Sequence, residues 1–256
     1  MSERRRLLVI NPNTSSATTE RIVQCLAPTL ATDILLESAT ARFGAPYIAC
    51  EASYAVASHA LLDTWAYAIS GRRADEMPDG VLIACFGDPG LFALREASSC
   101  PISALAEASF IEAAALGPFT VVTGGERWRP MLTRLAQSLG FGSAMRHIVT
   151  VTETGAQLQA DPALALRVLT EACQRAAGNG VQSIILGGAG LAGYAAQIQP
   201  AVVIPVIDSV QAGARVMLRA INSSTSVRTQ PGFDVRWHNL SAPLTELGLP
   251  SLSRPV

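Results

Sequence analysis

The fold of this chain is constrained most by the alternation of short apolar runs with longer segments rich in alanine and leucine. The short runs predict strands at residues 7–10, 33–36, 81–84, 119–122, 147–151, 183–186 and 202–207. The longer segments predict helices at residues 17–26, 48–68, 104–116, 128–139, 162–177 and 210–220. Strands that alternate with helices form βαβ units on a parallel sheet. The sequence therefore predicts an α/β fold.

A weak internal repeat divides this pattern into two halves. The segment LIACFG at residues 82–87 aligns with ILGGAG at residues 185–190, which places Cys85 over Gly188. The strand at 7–10 and its turn likewise match the strand at 119–122. Ligands of open parallel sheets bind where such turns follow the carboxyl ends of the strands. We therefore expect two pseudo-symmetric lobes, each a parallel sheet flanked by helices, with the active site in the cleft between them. The expected boundaries are 1–102 plus 207–256 for the first lobe and 103–206 for the second.

The composition narrows the classes of ligand and partner. Charged residues make up 15% of the 256 residues and the formal net charge is -1, so we expect no nucleic-acid partner. No run reaches the roughly 20 apolar residues of a membrane span, and the run at 7–10 is shorter than a signal-peptide core of about 7–15 residues. The five cysteines form no CxxC pair and the three histidines are isolated, which argues against a disulfide framework and a metal site. We expect a cytoplasmic protein that binds a small molecule, and the sequence leaves homo-oligomerisation open.

Cys85 is the side chain that points most clearly to chemistry. It follows an apolar strand and precedes a glycine-rich turn in which Asp88 suits a helix N-cap and Pro89 the first helical position. The positive end of such a helix would stabilise a thiolate, which could remove a proton from carbon, or its thiol could deliver one. The alternative is a buried structural cysteine. We accept that alternative for the remaining cysteines, Cys25, Cys50, Cys100 and Cys173.

Two further turns follow predicted strands and offer polar groups. The turn after the first strand contains Asn13 and Thr14, whose side chains can cap a helix or bind a substrate oxygen. The turn at Thr123, Gly124 and Gly125 offers a hydroxyl group and backbone N–H groups for an oxyanion. Both turns are therefore candidate substrate-binding segments.

The glycine-rich turn after the strand at 183–186 permits a second interpretation. Gly188, Gly190 and Gly193 have the GxGxxG spacing of a dinucleotide-binding loop, and Asp208 lies about 20 residues further on, where such a loop requires an acidic residue. A single GxGxxG is a weak signal, so dinucleotide binding remains only an alternative.

Taken together, these turns resemble the hydantoin and allantoin racemase branch of the aspartate/glutamate racemase superfamily. The matching segments are INPNTS at 10–15, ACFGDPG at 84–90, FTVVT at 119–123, LGGAG at 186–190 and PVID at 205–208. The resemblance extends over roughly residues 7–220 and implies two α/β lobes with the active site between them. It also implies cofactor-independent catalysis by two cysteines, one per lobe, that face opposite sides of the substrate α-carbon. It points to substrate binding by the turn residues Asn13, Thr14, Phe86, Gly87, Thr123, Gly124, Gly125, Ala189 and Gly190.

The sequence departs from this family at the second cysteine, where it has Gly188. Glycine has no ionisable side chain, so a symmetrical two-thiol mechanism cannot operate. Arylmalonate decarboxylases of the same superfamily also resemble racemases with one cysteine, although they keep the cysteine of the second half. The sequence therefore leaves open an isomerase that uses Cys85, a single-cysteine lyase and a non-catalytic binding protein.

Overall fold

The structure is a computed structural model that describes residues 4–178, 180–223 and 232–248. Its strands are β1 (Arg5–Asn11), β2 (Ile34–Thr40), β3 (Gly80–Ile83), β4 (Ile102–Ala104), β5 (Phe119–Gly124), β6 (Met145–Val151), β7 (Ser183–Leu186) and β8 (Val206–Asp208). Its helices are α1 (Ser16–Leu26), α2 (Glu51–Ile69), α3 (Leu91–Ala97), α4 (Leu105–Leu116), α5 (Trp128–Ser138), α6 (Gly155–Ala160), α7 (Pro162–Ala176), α8 (Tyr194–Ile198), α9 (Ser209–Ser223) and α10 (Ala242–Leu247).

The strands form two parallel four-stranded sheets of the same topology. The first has the order β2-β1-β3-β4 and the second the order β6-β5-β7-β8. The predicted α/β fold of two similar lobes is thus confirmed. In each sheet the strand order reverses between the two central strands, and a parallel sheet opens a ligand crevice at such a point. The turns after β1, β3, β5 and β7 lie at these crevices.

The central strands are held in place by burial on both faces. Every residue of β3, β5 and β7 is buried, as expected for parallel strands that helices cover on both sides. Leu82 and Val121 contribute to one large apolar cluster that extends through both lobes, with Phe110 of α4 among its members. The positions of the turns therefore depend on packed strands rather than on loops.

Two strands differ from the sequence-based expectation. The predicted strand at 202–207 was wrong in its bounds, because the chain forms a 3-10 turn at Gln199–Ala201 and pairs with β7 only from Val206. The three-residue strand β4 follows Pro101 and was not predicted. The expected lobe boundaries, 102/103 and 206/207, fall inside β4 and β8, and they remain a prediction.

The last described segment packs on the first lobe. Phe233 lies against Trp65 of α2, with ring centroids 6.1 Å apart, and Phe233 and Leu247 border the apolar cluster around that tryptophan. The polar composition from about residue 222 onward predicts a loosely packed tail, and this prediction is wrong for residues 232–248. The rest of that predicted tail, residues 224–231 and 249–256, lies outside the described residues. Within the described ranges, no helix combines the length and the apolar character that crossing a membrane requires.

Candidate active site

The turns at the ends of β1, β3, β5 and β7 meet at one cleft between the lobes. The cleft has an empty volume of about 610 Å³, its open mouth included. From the first lobe it is lined by Asn13, Thr18, Pro46, Tyr47, Ile48, Ala84, Cys85 and Phe86. From the second lobe it is lined by Thr123, Gly124, Trp128, Gly155, Ala156, Gln159, Gly187, Gly188, Ala189, Gly190 and Leu191. Cys85 and Gly188, which the internal repeat aligns, thus line the same cleft from different lobes.

Cys85 is the second residue after β3 and is 7% exposed. Burial raises the pKa of its thiol above the ordinary value, and the neighbouring carboxylate of Asp88 raises it further. The expectation of a thiolate stabilised by a helix N-terminus was therefore wrong in direction. In the resting protein the sulfur is a thiol, which is a proton donor and becomes a base only after it ionises.

Asp88 does not cap a local helix, contrary to the sequence-based expectation. The helix that follows, α3, begins at Leu91 and has Gly90 in its N-cap position, with φ of 75°. Asp88 itself adopts a left-handed conformation, with φ of 55°, and its carboxylate accepts the backbone N–H groups of Ala106 and Glu107 at the start of α4. The residue is a helix cap, but its helix begins 17 residues further along the chain than Asp88.

Gly188 has backbone angles that an L side chain rarely adopts, with φ of 149° and ψ of 127°. A Cβ atom at this position would lie 3.1 Å from Cγ of Leu191. Its N–H group donates to the hydroxyl of Ser209 at 3.2 Å. The neighbouring Gly187 packs so closely against Phe86 that any side chain there would overlap the ring. The second-lobe wall is thus built around glycine backbone.

Two polar side chains of the cleft have donor groups with no partner in the described part of the chain. The oxygen of the Asn13 side chain accepts the side-chain N–H of Asn11 at 2.9 Å and the backbone N–H of Ser15 at 2.9 Å. These bonds fix the amide so that its own NH₂ group is left for a ligand. Thr123, 5% exposed, brings its hydroxyl from the end of β5 in the second lobe. Both groups can bind a carbonyl oxygen.

The cleft residues that the sequence did not identify include Tyr47, Gln159 and Trp128. Tyr47 accepts the N–H of Gly155 at 3.1 Å, so that a first-lobe loop reaches the second lobe. Gln159 of α6 reaches from the second lobe to the first, where its side-chain N–H donates to the hydroxyl of Thr18 at 3.5 Å. The third, Trp128, is the first residue of α5. Tyr47 and Gln159 come from a loop and a short helix that have no distinguishing sequence pattern. Trp128 follows the turn at Thr123, but nothing in the sequence shows that its side chain reaches the cleft.

The cleft lining is free of charged side chains. None of the lining residues, all of which belong to the described ranges, is an aspartate, glutamate, lysine, arginine or histidine. Transfer of an ion into such surroundings is costly unless a partner compensates its charge. The cleft therefore suits an uncharged ligand whose polar atoms bind to amides and hydroxyls.

The structure places the predicted binding residues in two groups. Asn13, Phe86, Thr123, Gly124, Ala189 and Gly190 line the cleft. The other three lie in the turns behind the lining. Thr14 donates its N–H to the carbonyl of Ala45, Gly87 packs against Trp128, and Gly125 donates its N–H to the carbonyl of Val151. The substrate-binding role of both groups stays a prediction.

The acidic residue that suggested a dinucleotide site has another role in the structure. Asp208 accepts the N–H groups of Gly193, Val210 and Gln211, so its carboxylate ties the glycine-rich turn to α9 instead of standing ready for a ribose. Across residues 4–178, 180–223 and 232–248, no three histidine, cysteine or acidic side chains cluster as a metal site would require.

Comparison with known proteins gives matches over most of the chain. A family model described as Asp/Glu/Hydantoin racemase matches residues 7–217. The chain is 32% identical over 213 residues to a hydantoin racemase from Paenarthrobacter aurescens, which covers 82% of this chain and 89% of the relative. The solved structure of an allantoin racemase from Klebsiella pneumoniae matches with a TM-score of 0.79 at 31% identity, covering 85% of this chain and 88% of the other. A liganded variant of arylmalonate decarboxylase, with a glycine replaced by cysteine and a cysteine by serine, matches in fold alone, with a TM-score of 0.61 at 16% identity over 89% of this chain and 97% of the other.

Proposed function

The chain belongs to the Asp/Glu/hydantoin racemase family and is an isomerase, and we propose that it moves a proton at the carbon next to a carbonyl of a small, uncharged cyclic amide of the hydantoin type. Cys85 is the proposed proton-transfer group. The relative from Paenarthrobacter aurescens is named a hydantoin racemase, and the hydantoin ring is uncharged in its protonated form. The observation that carries this choice is the charge-free lining of a cleft that holds the Cys85 sulfur.

The proposed reaction begins when Cys85 ionises and its sulfur takes the proton from the substrate carbon. The electron pair of the broken C–H bond moves into an enolate, whose oxygen accepts hydrogen bonds from Asn13, Thr123 or turn N–H groups. Such donors, fixed before the charge develops, are an effective form of transition-state stabilisation. Return of the proton from sulfur to the same face regenerates the starting enantiomer. These steps need neither a metal nor an organic cofactor.

The opposite face of the substrate must receive its proton from another source, because Gly188 has no side chain. We assign this role to a water molecule in the volume beside Gly188. A positioned acid or base contributes roughly 10²–10⁴-fold to a proton transfer, so a wall without a thiol should make racemisation much slower than hydrogen exchange at the same carbon. This imbalance is the kinetic signature of the proposal.

The test follows one enantiomer of 5-benzylhydantoin in D₂O. Proton NMR measures the loss of the C5–H signal, and circular dichroism measures the loss of optical activity, each against a blank without protein. We expect exchange in the wild type and a fall of at least about 10²-fold in Cys85→Ser. Cys100→Ser is the matched control, because Cys100 lies outside the cleft lining, and it should exchange like the wild type. Equal exchange in Cys85→Ser and wild type would refute the role of Cys85.

A second candidate is a single-cysteine decarboxylase. It is favoured by the burial of Cys85, which raises the pKa of its thiol and so leaves it protonated and able to protonate an enediolate on one face. The charge-free lining disfavours a decarboxylase, because a malonate brings two negative charges into the cleft. Release of carbon dioxide from phenylmalonate, lost in Cys85→Ser, would favour this lyase over the isomerase. Proton delivery would then come from the first lobe.

A further inference from the structure

Asp88 belongs to the turn that carries Cys85 but does not line the cleft. It is 2% exposed. One carboxylate oxygen accepts the N–H of Ala106 at 2.9 Å and the other accepts the N–H of Glu107 at 2.8 Å. Its own N–H donates to the carbonyl of Cys85 at 3.2 Å. Asp88 therefore joins the turn of the cleft thiol to α4, the helix that leads from the first sheet to the second.

The second lobe also joins its turn to a helix through a carboxylate, but there the carboxylate precedes the helix and the turn supplies the N–H group. There Asp208 stands at the end of β8, caps α9 through the N–H groups of Val210 and Gln211, and reaches back to the N–H of Gly193 at 2.7 Å. In this lobe the residue that bears the carboxylate directly precedes the helix, and it is only half-buried. In the first lobe the residue that bears the carboxylate, Asp88, belongs to the turn after the strand instead. This difference places a buried carboxylate three residues from Cys85, near enough to raise the pKa of its thiol.

We propose that Asp88 is a positioning residue for the isomerase reaction: anchored to α4, it fixes the turn that presents the Cys85 sulfur and keeps a buried carboxylate in that turn. The inference rests on the proposed role of Cys85. A thiol that ionises reluctantly gives a thiolate of greater basicity, which takes a proton from carbon more readily. The anchored carboxylate thus makes the single sulfur a stronger base at the expense of its ionised fraction.

Among Cys85, Asp88 and the ionisable groups around them, Asp88 is the group that titrates near neutral pH. Burial raises the pKa of Asp88 to about 7, in spite of the backbone N–H groups of Ala106, Glu107 and Gly87, which favour its charged form. Tyr54 of α2 faces both Cys85 and Asp88, and burial raises its pKa to about 12, so it stays neutral. Glu107 of α4 also faces Asp88 and is paired with Arg95 at 2.7 Å. Above about pH 7 the Asp88 charge therefore opposes the thiolate, and below that pH the opposition is absent.

Alkylation of Cys85 by iodoacetamide measures this coupling without any substrate. The thiolate forms the new C–S bond and iodide leaves as the C–I bond breaks, so the rate follows the ionised fraction of the sulfur. Mass spectrometry of the peptide that contains Cys85 separates it from the other cysteines. In the wild type we expect the logarithm of the rate to rise with pH, to level off just above pH 7 where Asp88 ionises, and to rise again.

Asp88→Asn should remove the plateau and accelerate alkylation about tenfold at pH 8, because the charge that opposes the thiolate is gone. Asp208→Asn is the matched control: it alters the equivalent carboxylate of the second lobe and should keep the wild-type profile. Any one of three results would overturn the proposal. The wild-type profile could lack the plateau, Asp88→Asn could react no faster than the wild type, or both variants could be accelerated equally. If Asp88→Asn does not fold, the wild-type profile alone decides.

The outcome is independent of the reaction that the cleft catalyses. Alkylation reports on the resting protein, so a wild-type profile without a plateau would refute the role of Asp88 even if Cys85→Ser abolishes hydrogen exchange. Conversely, full exchange in Cys85→Ser would refute the proposed function even if the plateau is observed. The two failures are therefore distinguishable.

Discussion

Replacement of Gly188 by cysteine would restore a thiol to the second-lobe wall, and the structure allows its effect to be estimated. With φ of 149°, an L residue at this position costs about 1–3 kcal/mol of backbone strain. The new Cβ would lie 3.1 Å from Cγ of Leu191, which must yield by a few tenths of an ångström. At about 2–4 °C per kcal/mol, the melting temperature should fall by roughly 2–12 °C. The variant should therefore fold.

The gain in activity can be separated from this cost by a matched variant. Gly188→Ala bears the same strain and the same contact with Leu191 but carries no sulfur. We expect Gly188→Cys to racemise 5-benzylhydantoin about 10²–10⁴ times faster than Gly188→Ala, because the second face gains a positioned acid or base. Loss of circular dichroism signal measures the rate. Equal rates in the two variants, on a substrate whose C5–H the wild type exchanges, would refute the facing arrangement of positions 85 and 188.

Two further predictions concern pH and packing. Because the raised pKa of Cys85 leaves little thiolate, the rate of C5–H exchange, corrected for substrate ionisation, should rise about tenfold between pH 8 and pH 9; a flat profile would indicate that Cys85 acts as an acid, as in the decarboxylase. Gly187→Ala should lower the free energy of unfolding by about 1–3 kcal/mol, because its methyl group overlaps Phe86, whereas Gly178→Ala, with no atom within 4 Å of its Cβ, serves as the control in thermal melts. Equal stability of these two variants would contradict the close packing of Phe86 on the second lobe.

The sequence predicted those parts of the fold that depend on local pattern. Fully apolar runs such as that of β7 identified buried parallel strands, and the repeat that aligns Cys85 with Gly188 identified two lobes of equal topology. The strand β4 was missed because three residues after Pro101 are too few to show a periodicity. Strand-end turns could be found because a strand and its turn are contiguous in the chain.

The parts of the site that depend on distant contacts could not be predicted. Asp88 has the local signature of a cap, but its carboxylate binds N–H groups at the start of α4, and this remote partner also makes it a neighbour of the thiol. Tyr47 and Gln159 enter the cleft from a loop and a short helix with no distinguishing pattern. Likewise, the charge-free character of the cleft is a property of many segments together, so no single motif could reveal it.

Cys85 on one wall and Gly188 on the other give the cleft a handedness under the proposed chemistry. Mirror-image substrates have equal free energies in water, so their final ratio is one to one and kcat/KM must be the same in both directions. The walls nevertheless treat the two enantiomers differently, because only one of them turns its hydrogen toward sulfur. That enantiomer should trade its hydrogen with solvent many times for each inversion, and the inequality should appear in kcat and KM taken separately. A missing side chain thus leaves the equilibrium untouched and changes only the path by which it is reached.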